Sequence, residues 1–498
     1  MSDPDRFTCT SLPFLILSAF SLGAALVISP TGRTPQWAAC TRTTPSPQWS
    51  EDLSHACSAA RAFWNDSTSF YALPELTGPL YAIAAPLRLG ACDARGASWK
   101  SLARLLIGAG PQLKVLALGG SETAGVGCAE GDRKLKACAW PARLASALGE
   151  LLPDTSISIV NFATGGTTSS AALPALPHWL ALTDPGSPVL LLVDYSVNDN
   201  VLDGADLLAR YETLLLATQR LRPGAVVVFM NACAMERCNA FNEFVKRIGQ
   251  WHHVPVISYP DFIASIAMAF REPQASLRYW GEGFVPHPPW FIHQALADTA
   301  TACFKEALQT FACDSTFAQT EQLFHPQLIS QPESLSKVGI CDMPTSYYSA
   351  TDAFHNSTLQ TPVGVDWELV EDRVGKPGWI SLSSNAQISF LLTFGAHPRL
   401  IVSFLRSYEN LGNALLFFDD LPDKIVILDG LVAAQDERYS QYFAINFEVD
   451  RTDCFQPEHG DSGCYGFGIR PFSSHVLKIH AQARGDIFKF KIVSIVAC

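Results

Sequence analysis

The sequence predicts an α/β domain with a parallel sheet, followed by an all-β sandwich or jelly-roll domain. Short apolar runs recur between residues 111 and 310, and helical stretches lie between them. Strands that alternate with helices are typical of a three-layer α/β/α domain with right-handed crossovers. From about residue 346 the runs become short, alternating or β-branched, with turn residues between them. Many short strands separated by turns indicate an antiparallel sandwich.

The predicted parallel strands are apolar along their whole length, as expected of strands that helices cover on both faces. They are VLALGG (115–120), ISIVNFA (157–163), VLLLVDYS (189–196), AVVVFMNA (225–232) and VPVISYP (254–260). Helices are predicted at residues 140–152 and 205–222, and a last helix is predicted around QALADTATACFKEAL (294–308). These elements form successive β–α–β units.

Chain length and composition indicate at least two domains. The chain has 498 residues, with 48% hydrophobic and 16% charged residues, which is a globular composition. Single cores stop growing beyond ~250–300 residues, so one core is not enough. We expect a signal peptide or signal anchor at 1–30, a Cys-containing extension at 31–110, the α/β domain at 111–310, a linker at 311–345 and the β-sandwich at 346–498.

The predicted leader is one apolar run at residues 12–28. We expect a cleaved secretory signal. An uncleaved type II anchor is the alternative, because the start is acidic and the run has the minimum length for a membrane span. Two N-glycosylation sequons, at Asn65 and Asn356, are usable only in a secretory lumen.

Fourteen cysteines indicate an oxidising compartment. The pairs whose spacing suits short disulfide-closed loops are Cys128/Cys138, Cys233/Cys238 and Cys454/Cys464. A net charge of −12, with scattered lysines and arginines, leaves no basic stripe for phosphate contacts. We therefore expect a secreted protein with no nucleic-acid partner, and a membrane partner only if the leader stays uncleaved.

Four polar segments lie where parallel strands end or where the last helix begins. They are the serine segment GGSETAG (119–125), the glycine segment NFATGGT (161–167), the asparagine segment DYSVND (194–199) and the histidine segment HPPWFIH (287–293). Open α/β sheets bind ligands at the carboxyl ends of their strands. Each segment taken alone also suits an ordinary turn, helix cap or structural histidine.

Together the four segments resemble the SGNH (GDSL-like) hydrolase family in order, spacing and position. The resemblance implies a flavodoxin-like α/β/α fold in which Ser121 is the nucleophile and His287 the base. It also implies an oxyanion hole formed by Gly166, Asn198 and the amide of Ser121. A serine hydrolase of this kind needs no metal and no organic cofactor.

The sequence departs from the family pattern at three positions. Gly120 stands where the family often has aspartate, and Ser196 stands where glycine is common. Phe284 occupies the usual position of the triad aspartate, three residues before the histidine. Glu282 and Asp261 are candidates for the missing acid, and a backbone carbonyl is a third way to orient the imidazole.

The leading hypothesis is a secreted serine esterase that hydrolyses carboxylic esters. O-acetyl groups on carbohydrate are the favoured substrate, because the architecture resembles a catalytic domain joined to a glycan-binding domain. A polysaccharide O-acyltransferase would use the same serine and histidine, and a non-catalytic glycan-binding protein is favoured only by Phe284. Trp379, Tyr408 and Tyr439 are candidate sugar-stacking residues, although such aromatics more often lie in the sandwich core.

Overall fold

A computed structural model describes residues 91–92, 96–128, 135–199, 204–233, 238–270, 287–311, 344–355, 361–373, 375–431, 440–452 and 466–498. All of these residues lie in one compact unit of the chain, Thr44–Cys498. The predicted leader, both sequons and the Cys454/Cys464 pair lie outside them. Within the described ranges, no helix has both the length and the hydropathy needed to cross a membrane.

The α/β region contains a parallel sheet with strand order β2-β1-β3-β4-β5. Its strands are β1 (Gln112–Gly119), β2 (Ser156–Asn161), β3 (Val189–Asp194), β4 (Val226–Asn231) and β5 (Val256–Ser258). All the apolar runs predicted to be parallel strands are strands of this sheet. The prediction of a parallel α/β fold is confirmed.

Helices connect these strands and flank the sheet. They are α1 (Lys100–Ile107), α2 (Ser121–Ala124), α3 (Leu135–Cys138), α4 (Trp140–Leu151), α5 (Ser169–Ala181), α6 (Ser196–Asp199), α7 (Gly204–Leu221), α8 (Asn239–Trp251), α9 (Tyr259–Phe270) and α10 (Trp290–Phe311). The helices predicted at 140–152, 205–222 and 294–308 correspond to α4, α7 and α10.

Two apolar clusters cover the two faces of the sheet. Alternate residues of β1 point to opposite sides, so that Val115 and Ala117 join one cluster while Leu116 and Leu118 join the other. Side chains of α1, α4, α9 and α10 complete the first cluster. Those of α5, α7 and α8 complete the second. The region therefore has the three-layer α/β/α arrangement that the sequence predicts.

Residues just before 111, which the sequence assigns to an N-terminal extension, pack into the α/β core. Trp99 is buried and contacts Phe304 of α10 edge to face, with ring centroids 6.3 Å apart. A disulfide joins Cys92 to Cys303. The end of the extension thus belongs to the α/β core, while the domain boundaries themselves stay a prediction.

Two of the predicted short-range disulfides are confirmed. Cys128 bonds to Cys138, and Cys233 bonds to Cys238. The first bond closes a short loop after the serine segment, and the second closes a short loop after strand β4. Disulfides in the described part of the chain indicate an oxidising compartment.

The C-terminal β region consists of two antiparallel sheets. Its strands are β6 (Ser346–Ser349), β7 (Val363–Val365), β8 (Trp367–Glu371), β9 (Pro377–Ser381), β10 (Gln387–Thr393), β11 (Arg399–Ser407), β12 (Asn413–Phe418), β13 (Leu421–Asp429), β14 (Ser440–Glu448), β15 (Ser474–Gln482) and β16 (Lys491–Ala497). One sheet has the order β13-β12-β15-β10-β7 and the other β14-β11-β16-β9-β8, with β6 beside β16. The predicted all-β fold is confirmed.

The core of the β region lies between its two sheets. Phe390 of β10 and Phe404 of β11, which belong to different sheets, are both buried in one apolar cluster. Trp379 is 3% exposed and joins this cluster, so it is a core residue and not a sugar-stacking one. A short helix, α11 (Ala350–His355), interrupts the strands where no helix was predicted, because six residues are too few to show a helical period.

Gly149 lies near the end of α4 and is a site for stabilisation. A methyl group added there would meet nothing within 4 Å. Glycine inside a helix costs roughly 0.5–1 kcal/mol relative to alanine, mostly because its unfolded chain is more flexible. We expect Gly149→Ala to raise the free energy of unfolding by roughly that amount. Denaturant titration checks this, and a lowered transition midpoint would contradict it.

Candidate active site

The serine segment forms a tight strand-to-helix turn. Strand β1 ends at Gly119, and α2 begins at Ser121. Between them the backbone of Gly120 is extended, and its N–H donates to the carbonyl of Asp194 at 3.1 Å. Helix α2 ends after one turn at Gly125, whose φ of 91° is in the left-handed region that favours glycine. Ser121 therefore stands at the carboxyl edge of the sheet.

The hydroxyl of Ser121 lies in a buried, polar environment. Ser121 is 4% exposed, and its Oγ donates to Oε2 of Glu122 at 3.1 Å. Glu122 itself is 2% exposed. Sequence reasoning did not single out Glu122, although it directly follows the predicted nucleophile. In this structure the serine hydroxyl is hydrogen-bonded to its neighbour rather than to a histidine.

The glycine segment lies directly beside Ser121. Oγ1 of Thr167 donates to the carbonyl of Gly119 at 3.0 Å, which joins this segment to the end of β1. A methyl group on Gly165 would lie 3.5 Å from Cβ of Ser121. Gly166 has a φ of 85°, a conformation that residues with side chains rarely adopt. The predicted oxyanion glycine is thus next to the predicted nucleophile.

The asparagine segment approaches Ser121 from strand β3. Asn198 lies in the short helix α6, and its side-chain oxygen abuts Gly120, where it would block an added methyl group. Its N–H donates to the carbonyl of Tyr195 at 3.0 Å, which fixes the start of α6. The amide of Asn198 therefore lies beside the residue that precedes Ser121.

Two buried carboxylates of the asparagine segment tie it to the serine segment and to the start of α5. Asp194 accepts hydrogen bonds from Oγ1 of Thr123 at 2.9 Å and from Oγ of Ser196 at 2.6 Å. Asp199 accepts a bond from the N–H of Ser169 at 3.1 Å, which ties the asparagine segment to the start of α5. Burial raises the pKa of both carboxyls, that of Asp199 to about 6, because an ionised carboxylate is poorly solvated there.

His287 lies three residues before α10 and packs against the turn that follows α2. A methyl group on Gly127 in that turn would be 3.0 Å from Cβ of His287. Burial and the nearby positive charge of Lys376 lower the pKa of His287 to about 4. Its imidazole is therefore neutral at physiological pH and able to accept a proton. His293, the other histidine of the segment, lies within α10 and accepts a bond from the N–H of Trp140 at 3.3 Å.

The two candidates for the triad acid have different outcomes. Both carboxylate oxygens of Asp261 are engaged by α8, since Asn242 Nδ2 lies 3.0 Å from one and Lys246 Nζ lies 3.2 Å from the other. Asp261 is thus held by side chains other than His287. Glu282, like Phe284, lies outside the described residues, so its role stays a prediction. In the described ranges no group of three potential ligands for a metal ion is present.

The β region contacts the α/β region at this site. The N–H of Tyr442 donates to the carbonyl of Gly166 at 2.7 Å, and Nε2 of Gln441 donates to the carbonyl of Asn198 at 3.3 Å. The start of β14 thus holds both predicted oxyanion segments. Lys376, from the loop between β8 and β9, reaches the glycine segment as well: its Nζ would lie 3.3 Å from a methyl group on Gly166.

The structure therefore brings Ser121, Gly166 and Asn198 together at one edge of the sheet, with His287 on the neighbouring turn. A buried serine hydroxyl beside a glycine turn and an asparagine side chain is an arrangement suited to acyl transfer, in which backbone and side-chain N–H groups stabilise the charge of a tetrahedral intermediate. The sequence did not predict that Lys376, Gln441 and Tyr442 contact the glycine and asparagine segments. Each comes from the β region, and nothing in the local sequence marks them.

The α/β region matches a known protein family by sequence. The sequence model of the GDSL-like lipase/acylhydrolase family matches residues 117–293. No curated protein has a sequence that matches the chain.

Two crystal structures of a two-domain esterase (CEX) active on acetylated mannans are similar to the whole described architecture, and one of them was co-crystallized with mannopentaose. They share 15% and 17% identity with this chain, with TM-scores of 0.52 and 0.53. Each alignment covers 82% of this chain and 97% of the esterase, which at such identity shows a common fold. Residues 117–293 form a GDSL-like lipase/acylhydrolase domain, and the protein is an ester-hydrolysing enzyme.

Proposed function

We propose that the protein is a serine esterase in which Ser121 is the nucleophile and His287 the general base. The observation that carries the proposal is the convergence of the serine, glycine and asparagine segments around the buried Ser121. These segments come from the ends of three adjacent strands, so the rigid sheet sets their spacing. Preorganised donors of this kind contribute to catalysis because they need no rearrangement as charge develops.

In the proposed reaction, Oγ of Ser121 attacks the ester carbonyl carbon while His287 accepts the serine proton. The carbonyl electron pair moves onto its oxygen, where the N–H groups of Gly166 and Ser121 and the side-chain amide of Asn198 stabilise the negative charge. Collapse of this intermediate expels the alcohol, which takes the proton from His287, and leaves the acyl group on Ser121. Water, deprotonated by His287, then releases the carboxylic acid and restores the serine.

The pKa of His287 sets the expected pH dependence. Only the neutral imidazole accepts a proton, so activity is lost when the pH falls through the pKa of the base. Since that pKa is about 4 and not 6.5, we expect kcat/KM to stay constant on the acid side until the pH approaches 4. A pH profile, corrected for unfolding by tryptophan fluorescence at each pH, checks this. An acid limb with a midpoint near 6.5 would contradict it.

We propose O-acetyl groups on carbohydrate as the substrate. The support is the likeness in fold, over both regions, to an esterase that is active on acetylated mannans. The β region here also touches the site directly through Gln441 and Tyr442. A polysaccharide bound at the site would therefore meet both regions at once.

We also propose that the enzyme is secreted. The disulfides in the described residues and the predicted leader support this. N-terminal sequencing of the mature protein separates a cleaved signal from an anchor, because an anchor retains residues 1–28.

The experiment that tests the function is acetate release from acetylated glucomannan by the purified protein, with Ser121→Ala as the matched control. Release that depends on Ser121 supports the esterase. If deacetylated glucomannan added as acceptor instead gains acetyl groups faster than acetate appears, the enzyme is an O-acyltransferase. If the wild type and Ser121→Ala release equal amounts of product from this polymer and from p-nitrophenyl acetate, only a non-catalytic glycan-binding role is left.

A further inference from the structure

Lys376 lies at the end of the loop that joins β8 to β9, and its backbone is firmly held. Its N–H donates to the carbonyl of Arg373 at 2.9 Å, closing a turn. Its carbonyl accepts a hydrogen bond from Nζ of Lys491 at 2.6 Å, and Lys491 in turn pairs with Asp372. Pro377, the first residue of β9, follows directly and is buried. The loop thus presents Lys376 from a fixed base.

The side chain of Lys376 extends across the glycine segment toward Ser121. A methyl group on Gly165 would lie 2.7 Å from Cε of Lys376, 3.5 Å from its Nζ and 3.5 Å from Cβ of Ser121. A methyl group on Gly166 would lie 3.3 Å from the same Nζ. The ammonium and the serine therefore share the small space above Gly165 and Gly166. A methyl group on Gly165 would therefore displace the side chain of Lys376, and one on Gly166 would press against its ammonium.

The charges around Lys376 come from both regions of the protein. Glu122 and His287 face it from the α/β region, and Arg373, Asp372 and Lys491 face it from the β region. Burial, followed by Arg373 and Lys491, lowers the pKa of Lys376 to about 8, while Glu122 and Asp372 oppose this shift. At neutral pH the half-buried side chain is still mostly a cation, because its pKa of about 8 lies above 7.

We propose that Lys376 is a catalytic residue supplied by the β region, and that its ammonium stabilises the oxyanion formed when Ser121 attacks the ester. This inference rests on the proposed serine esterase mechanism. The neutral ester brings no charge to this half-buried cation, whereas the tetrahedral intermediate adds a negative charge beside it. Its interaction is therefore stronger in the transition state than with the neutral ester, which is the condition for accelerating the chemical step. The β region would then be part of the catalytic centre as well as a wall of the site.

The test compares Lys376→Met, which removes the charge and nearly keeps the length of the side chain, with Lys376→Arg, which keeps the charge. Lys478→Met, a change of the same kind in strand β15, is the matched control. The substrate is p-nitrophenyl acetate, which is uncharged, so that a role in binding an anionic substrate cannot affect the result. We expect Lys376→Met to lower kcat about 100-fold with little change in KM, as for loss of one oxyanion donor. Lys376→Arg should keep part of this activity, and Lys478→Met should match the wild type.

The pH profile separates a stabilising cation from a general base. A cation is active when protonated, so the kcat of the wild type should fall as the pH rises through about 8, and this alkaline limb should be absent in Lys376→Arg. A neutral lysine acting as base would give the opposite sign, with kcat rising through the same range. Removing the cation should also raise the pKa of His287 and move the acid limb of Lys376→Met to higher pH.

The possible outcomes distinguish this inference from the function on which it rests. If Ser121→Ala is inactive while Lys376→Met retains wild-type kcat, the esterase mechanism stands and the role of Lys376 is wrong. The role of Lys376 as a cation would also be overturned if kcat of the wild type rises as the pH passes about 8 and this rise is absent in Lys376→Arg. If Ser121→Ala keeps full activity, the proposed serine esterase mechanism is wrong, and the role of Lys376 that rests on it is wrong as well. Circular dichroism and thermal unfolding of each variant confirm that lost activity is not lost folding.

Discussion

Replacing Ser121 with alanine is expected to lower kcat for ester hydrolysis by at least about 1,000-fold, because no other group in the mechanism can carry the acyl group. Ser121 is buried, and alanine fills nearly the same volume, so the fold should be retained. The hydrogen bond to Glu122 is lost, but that carboxylate has other interactions in the structure. Initial rates with p-nitrophenyl acetate measure the effect.

Ser146→Ala is the matched control for this variant, because Ser146 is an exposed residue on α4. It should retain the full activity and the unfolding midpoint of the wild type. If the kcat of Ser121→Ala stays within about 10-fold of the wild type, the assignment of Ser121 as nucleophile is contradicted. Loss of a nucleophile typically lowers kcat far more than that.

The second large effect is expected for Gly166→Ala. Alanine at a φ of 85° is strained by roughly 1–2 kcal/mol. Its methyl group would also lie 3.3 Å from both Lys376 Nζ and the carbonyl oxygen of Ser440, so that the loop or its neighbours must shift. Because the N–H of Gly166 is a proposed oxyanion donor, we expect kcat to fall about 100-fold or more. Steady-state kinetics on p-nitrophenyl acetate measure the loss.

Gly186→Ala controls for the general effect of adding a methyl group. Gly186 lies in a surface turn, and a methyl group there meets nothing within 4 Å. It should be kinetically silent. A Gly166→Ala enzyme with unchanged kcat and unchanged unfolding midpoint would show that the glycine segment neither approaches the reacting atoms nor needs its left-handed conformation.

The parallel strands and most of the sandwich strands could be predicted from the sequence because burial leaves a local pattern. Strand β3 is buried at every position and reads as a continuous apolar run. Strand β12 alternates between buried and half-buried residues and has the period of a half-covered sheet. The short strand β7, fully exposed along VGV, has no such pattern and cannot be predicted from its sequence.

The candidate site could be predicted only where its parts are local. Ser121, Gly166 and Asn198 each follow a strand directly, and the ends of adjacent parallel strands must meet. Lys376 and Tyr442 reach the site through packing between the α/β and β regions. That packing is a property of two folded surfaces, and no period or motif in a single stretch of sequence records it.

The role of Ser121 as the nucleophile is tested most directly by covalent labelling of the wild-type protein with an alkyl fluorophosphonate, which phosphonylates activated serines. Intact-mass measurement and peptide mapping then locate the adduct. We expect one adduct per chain, on the peptide that contains Ser121, and none in Ser121→Ala. An adduct on another residue, or no adduct on a folded protein that still hydrolyses p-nitrophenyl acetate, would contradict it.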